Sequence, residues 1–72
     1  MTERDMFLAA CTKCEKDAHY HGLRLFVHRH GDEFAVSGNS GKGWLFTAYP
    51  GGRKVLSMAG KAIAYPDQDP SS

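Results

Sequence analysis

A change of hydrophobic period at Gly22 constrains this chain more than any other feature. Before it, Phe7, Cys11, Cys14, Ala18 and His21 recur at spacings of four and three residues. Those are the neighbour distances of a helix, so the five form one stripe that must be buried. From Leu23 onward, apolar and polar residues alternate, and turn residues interrupt the chain at short intervals. That pattern marks half-buried strands. One helix followed by short strands predicts an α+β domain, with the helix packed on a four- to five-stranded antiparallel sheet built from two hairpins.

The helix, over 2–21, carries signals at both ends. Thr2 is placed to cap it, Asp5 three residues later completes a weak capping box, and Met1 and Met6 take the positions of a hydrophobic staple. Glu3 and Asp5 sit at the positive end of the helix dipole, with Lys13 and Lys16 toward the negative end. Gly22 suits the left-handed position that ends a helix, and Leu23 is expected to pack back near Ala18.

Leu23 to His30 is the first expected strand, Gly31-Asp32 a two-residue turn, and Glu33 to Gly38 the return strand. A two-residue turn sets Arg29 opposite Phe34, Val27 opposite Val36 and Leu25 opposite Gly38. Leu25, Val27, Phe34 and Val36 then face the helix. Arg24, Phe26, His28, His30, Glu33, Ala35 and Ser37 face away, with His30 across from Glu33.

Gly38 to Gly43 is a flexible loop in which Lys42 and the backbone amides could make only a weak anion contact. The pair Gly41-Lys42 lacks the hydroxyl residue and following helix of a phosphate loop. A second hairpin joins Trp44–Tyr49 to Arg53–Met58 through Pro50-Gly51-Gly52. Its faces are ambiguous: Trp44, Phe46 and Val55 compete with Leu45, Leu56 and Met58 for the core. Lys61 to Tyr65 fits either a fifth short strand or a helical turn. Residues 1–66 make a single domain, and 67–72 form an acidic tail without structure.

Cys11, Cys14, His19, His21, His28 and His30 are all the cysteines and histidines of the chain and fall within twenty residues. Zinc accepts Cys2His2 sets, but its cysteine pairs usually sit on a tight turn rather than in mid-helix. Buried cysteine also packs as a small hydrophobe. The strand register points His28 and His30 away from the helix, so the sequence favours a packed seam over a metal site, and no cofactor is expected. A redox pair is disfavoured too, because the cysteines lie turns away from the helix N-terminus that lowers a thiol pKa. No motif links a nucleophile to a base and an orienting group, so no enzyme activity is expected.

Composition narrows the partner. At 72 residues, the domain buries only about 60% of its unfolded surface, which makes self-association attractive. Two cysteines make no secreted disulfide framework, the charged start has too short an apolar run for a signal peptide, and no stretch approaches the roughly 18 apolar residues of a membrane span. A cytoplasmic chain is expected. Residues 1–66 hold nine basic and six acidic side chains, a surplus of +3.

These features favour a small protein-binding or regulatory module, an inhibitor or accessory factor, with a homodimer as a further expectation. Its surface would be the outer sheet face: Arg24, Phe26, His28, His30, Trp44, Tyr49, Arg53 and Lys54, with Phe26 as an exposed aromatic anchor. The alternative is a weakly basic nucleic-acid-binding domain, with Arg24, Lys42, Arg53 and Lys54 on phosphates and Phe26 and Trp44 under bases.

Overall fold

The structure, a computed structural model, describes residues 2–64. Helix α1 (Glu3–His21) is followed by β1 (Leu25–His30), β2 (Glu33–Ser37), β3 (Phe46–Ala48), β4 (Lys54–Leu56) and a short helix α2 (Met58–Ala64). The fold is α+β, with α1 packed on a four-stranded antiparallel sheet made from two hairpins. The staple partner Met1 and the acidic tail lie outside the described residues.

Helix α1 forms as its sequence signals require. Thr2 Oγ1 accepts from the Asp5 amide at 3.1 Å, satisfying one of the amides that a helix start leaves without a partner. Gly22 adopts φ 66°, and its amide and that of Leu23 donate to the Ala18 carbonyl. The Leu23 side chain, however, stays exposed instead of packing back. Phe7, Cys11, Cys14 and Ala18 are buried as one stripe. His21 departs from expectation: it is exposed, with its ring edge-on to Tyr20.

The β1–β2 hairpin has the expected register, with Val27 opposite Val36, Arg29 opposite Phe34 and His30 opposite Glu33. Gly31, at φ 64°, supplies the left-handed residue that the tight turn needs. Leu25, Val27, Phe46 and Ala48 meet the α1 stripe, with Phe34, Val36 and Leu56 packed at its margins. The Phe7 and Phe34 rings meet edge to face at 5.2 Å between centroids. Full burial of Phe7 and Val27 contributes about 1.5–3 kcal/mol each relative to exposure.

The ambiguity of the second hairpin is resolved by a β-bulge. Phe46 is the register partner of Val27, yet the Leu45 amide also donates to the Val27 carbonyl at 2.8 Å. Two consecutive residues therefore oppose one, which breaks strand alternation. Leu45 joins Phe46 in the core cluster, and Trp44 is turned to the other side, where its ring meets Phe26. Met58, a candidate core residue in the sequence, is 83% exposed.

Residues 58–64 form α2, so Met58 does not end a strand, and of the two readings of residues 61–65 the helical one holds over those described. Ser57 starts this helix: its Oγ accepts from the Gly60 amide at 3.1 Å while donating to the Leu45 carbonyl at 3.2 Å. Gly60 lies so close to β3 that a Cβ there would stand 2.0 Å from the Leu45 carbonyl oxygen. Only glycine allows that approach.

Sheet order is β2-β1-β3-β4, with β1 antiparallel to both neighbours. Strands β2 and β3 consequently run parallel on either side of β1, and residues 38–45 must cross over it. The crossing passes the outer face, away from α1, because His28 Nε2 donates to the Ser40 carbonyl at 2.8 Å. The same loop is held by an Asn39 side chain that accepts from the Gly41 amide at 3.0 Å. A segment expected to be a free loop is thus a tethered strap.

Candidate functional site: the outer sheet face

The outer face carries most of the residues singled out in the sequence, but not as the flat surface expected. Phe26 is only 5% exposed. The Arg24 guanidinium lies 4.7 Å from its ring centroid, the Trp44 ring meets it edge-on at 6.0 Å, and His28 stands at 6.4 Å. The strap between β2 and β3 brings Trp44 there. Phe26 is therefore the floor of a small second core and not an exposed anchor.

Beside it, Thr47 is the one buried polar side chain among the described residues. Its hydroxyl donates to the Leu25 carbonyl at 2.9 Å and accepts from Arg24 Nε at 3.0 Å. Both roles of the hydroxyl are used, so burial leaves it satisfied. Its consequence is positional: Thr47 fixes the Arg24 guanidinium through Nε.

Arg24 also lies over Tyr49, 4.5 Å from the ring centroid, and Arg53 stands 4.9 Å from the same ring. Two guanidinium groups thus share one half-buried aromatic ring at the end of β3. The hairpin builds this arrangement: Tyr49 and Arg53 flank the three-residue turn, the Tyr49 amide donating to the Arg53 carbonyl at 2.8 Å. Gly52, at φ 99°, provides the backbone reversal. Stacking on an aromatic ring orients each guanidinium and restricts its motion before any ligand arrives.

Placement of the remaining candidates is mixed. His28 is half-buried and spent on the strap, while His30 is exposed beside Glu33. Lys54 belongs to the opposite side, where its ammonium pairs with Glu15 of α1 at 3.4 Å. The expected set is therefore divided: Arg24, Tyr49 and Arg53 converge, Phe26 and Trp44 support them, and Lys54 is elsewhere. Thr47 was missed by sequence reasoning. Its signal was weak: a lone polar residue between Phe46 and Ala48 on an otherwise apolar strand.

Charge along the outer face is segregated. Arg24 and Arg53 lie at one end of β1, whereas Asp32 and Glu33 lie at its far turn. Six residues of strand between Arg24 and His30 span about 20 Å, more than twice the screening length of roughly 8 Å at physiological salt. The acids therefore do not cancel the cations. On the helix side, by contrast, Lys13, Arg29 and Lys54 pair with Asp17, Glu3 and Glu15.

The cysteines lie under α1, on the far side of the sheet from His28. Burial pushes the Cys11 thiol up to about 12, with the neighbouring Cys14 and Glu15 adding to the effect. Cys14 is raised too, mainly by burial. Both are neutral packing groups near pH 7. Among the described residues, no group of three or more His, Cys, Asp or Glu side chains is arranged to hold a metal ion. None of the described helices is long and apolar enough to cross a membrane.

Compared with protein-family models, curated proteins and solved structures, the chain matches none.

Proposed function

We propose that this chain is a non-catalytic protein-binding module that captures an acidic segment of its partner at the Arg24–Tyr49–Arg53 end of the outer sheet face. The observation that carries this reading is the pair of guanidinium groups stacked on Tyr49. Guanidinium presents planar, forked donors that match a carboxylate, and prior orientation lowers the entropy lost on binding. Arg24 spends one donor on Thr47, and among the described residues its other donors have no hydrogen-bond partner, which would leave them to serve a ligand. Occupying a partner's acidic segment would let so small a chain act as an inhibitor or accessory factor.

The nucleic-acid alternative loses support from the same geometry. Base stacking needs open aromatic faces, but Tyr49 has guanidinium neighbours and Trp44 packs on Phe26. Lys54, counted among the phosphate contacts, is across the sheet with Glu15.

Fluorescence anisotropy with labelled acidic, neutral and basic peptides tests the proposal. The acidic peptide is expected to bind, and Arg53→Glu to weaken it at least about tenfold, as loss of a charge-assisted bond predicts. Lys54→Glu should leave binding within about twofold, since it acts on the opposite face. Equal binding of all three peptides would refute the reading, as would tighter, steeply salt-dependent binding of a single-stranded oligonucleotide.

A further inference from the structure

The two edges of the sheet are not equivalent. Strand β4 is three residues long, begins with a lysine and has α2 packed beside it. Each of these features blocks strand addition. Strand β2 has five residues, Glu33-Phe34-Ala35-Val36-Ser37, with no proline or lysine, and lies at the open end of the order β2-β1-β3-β4.

Register shows which backbone groups that edge presents. The Val27 carbonyl accepts from Leu45, on the β3 side. Val27 therefore turns its backbone away from β2, and its partner Val36 turns its own amide and carbonyl away from β1, toward the open edge. Two residues earlier, Phe34 does the same. The edge offers the N–H and C=O of Phe34 and Val36, with Ala35 exposed between them.

The geometry points to a homodimer formed by antiparallel pairing of β2 with β2 of a second copy, about a two-fold axis through Ala35. Three registers keep the core face continuous: those centred on Phe34, Ala35 or Val36. Only the one centred on Ala35 pairs Phe34 of each copy with Val36 of the other, so every outward amide and carbonyl of those residues finds a partner. It also sets aromatic against β-branched side chains on the core side, a favourable cross-strand pair. Ala35 meets Ala35 on the outer side without steric conflict, and Glu33 meets Ser37, so no like charges oppose each other.

Strand pairing alone falls short of the roughly 1,000 Å² of a specific interface. The same axis lays side by side two grooves, each lined by Met6, Ala9, Ala10 and Lys13 of α1 together with Phe34 and Val36. These add apolar surface in a second layer. Among the described residues, the product is a continuous eight-stranded sheet whose remaining edges are the two protected β4 strands, so assembly stops at two copies. This inference is independent of the outer-face binding site, which lies at the other end of the sheet order.

Sedimentation velocity and oxidative cross-linking test it. The wild-type chain is expected to be dimeric at concentrations up to about 1 mM, a range that reveals even weak association. Ala35→Glu, an exposed change in the monomer, sets two carboxylates face to face and should leave a folded monomer. In Ala35→Cys the paired residues should stand about 4.5 Å apart between Cα atoms, within disulfide reach. A mild thiol oxidant should then cross-link this variant to a covalent dimer under native conditions. Tyr20→Cys, exposed on α1, should not cross-link, and Cys11 and Cys14 are buried. A wild type that remains monomeric overturns the inference, as does a dimer that persists in Ala35→Glu or an Ala35→Cys variant that fails to cross-link.

Discussion

Gly60→Ala should destabilise this protein, although the same change in an exposed helix stabilises by about 1 kcal/mol. The added Cβ would stand 2.0 Å from the Leu45 carbonyl oxygen, 3.0 Å from its carbon and 3.2 Å from Leu56 Cδ2. Two of these atoms are backbone in the bulge that sets the core, so they cannot swing aside. Helix α2 must instead move off by about 1.5 Å, the distance that restores an ordinary contact of roughly 3.5 Å.

That displacement loosens the Ser57 amide and hydroxyl bonds to the Leu45 carbonyl, at 3.0 and 3.2 Å, contributing about 1 kcal/mol each. It also opens the contacts of half-buried Ile63 and Ala64 with the core, together about 1–2 kcal/mol. Against the propensity gain of about 1 kcal/mol, the net loss is about 2–3 kcal/mol, a large share of the roughly 4–10 kcal/mol available to a domain of this size. Urea unfolding followed by circular dichroism measures it, with Ala62→Gly on the exposed side of α2 as a control expected to cost about 1 kcal/mol. An unchanged or raised midpoint for Gly60→Ala would refute the docking of α2 on β3.

Thr47→Val keeps the shape of the side chain but leaves the Leu25 carbonyl and Arg24 Nε without their partner; it should cost about 1–3 kcal/mol in denaturant unfolding, and an unchanged midpoint would contradict its role. Cys11 and Cys14 should resist thiol reagents at pH 8 and react only when the chain unfolds, as a colorimetric thiol assay will show. Because the folded pKa of Cys11 is raised from 9.0 to about 12, its stabilising effect is complete below pH 9 and is lost as pH rises through that interval. Alkaline unfolding should accordingly move to higher pH in Cys11→Ala relative to its own stability at pH 7; the same alkaline slope in both proteins would exclude Cys11 as the cause.

How much of this was legible in the sequence depends on whether local pattern alone decides the outcome. Helix α1 and the β1–β2 hairpin were legible because Thr2, Gly22 and Gly31 mark their ends and the periods between are unbroken. The core face of β3 was not, because the bulge at Leu45 and Phe46 shifts the alternation by one residue, and only the pairing with Val27 reveals it. Phe26 was misread as exposed for a topological reason: strand order sends residues 38–45 across β1, and a crossover of that kind is invisible until the sheet order is known. Helix α2 was legible only as one of two readings of Lys61 onward, because the capping role of Ser57 competes with a strand continuing from Leu56. At the site, Arg24, Tyr49 and Arg53 were identifiable as residue types on one face, but their shared ring depends on the hairpin turn and on Thr47.

Nuclear magnetic resonance titration distinguishes the Arg24–Tyr49–Arg53 cluster from every other candidate binding surface. Isotope-labelled protein would be titrated with an acidic peptide, following backbone amides and the arginine Nε–H signals. The largest shifts are expected on Arg24, Tyr49, Arg53 and the neighbouring Thr47, with residues of α1 little changed. Shifts centred on α1 or on the Asp32 turn, or none at all at saturating peptide, would contradict this assignment.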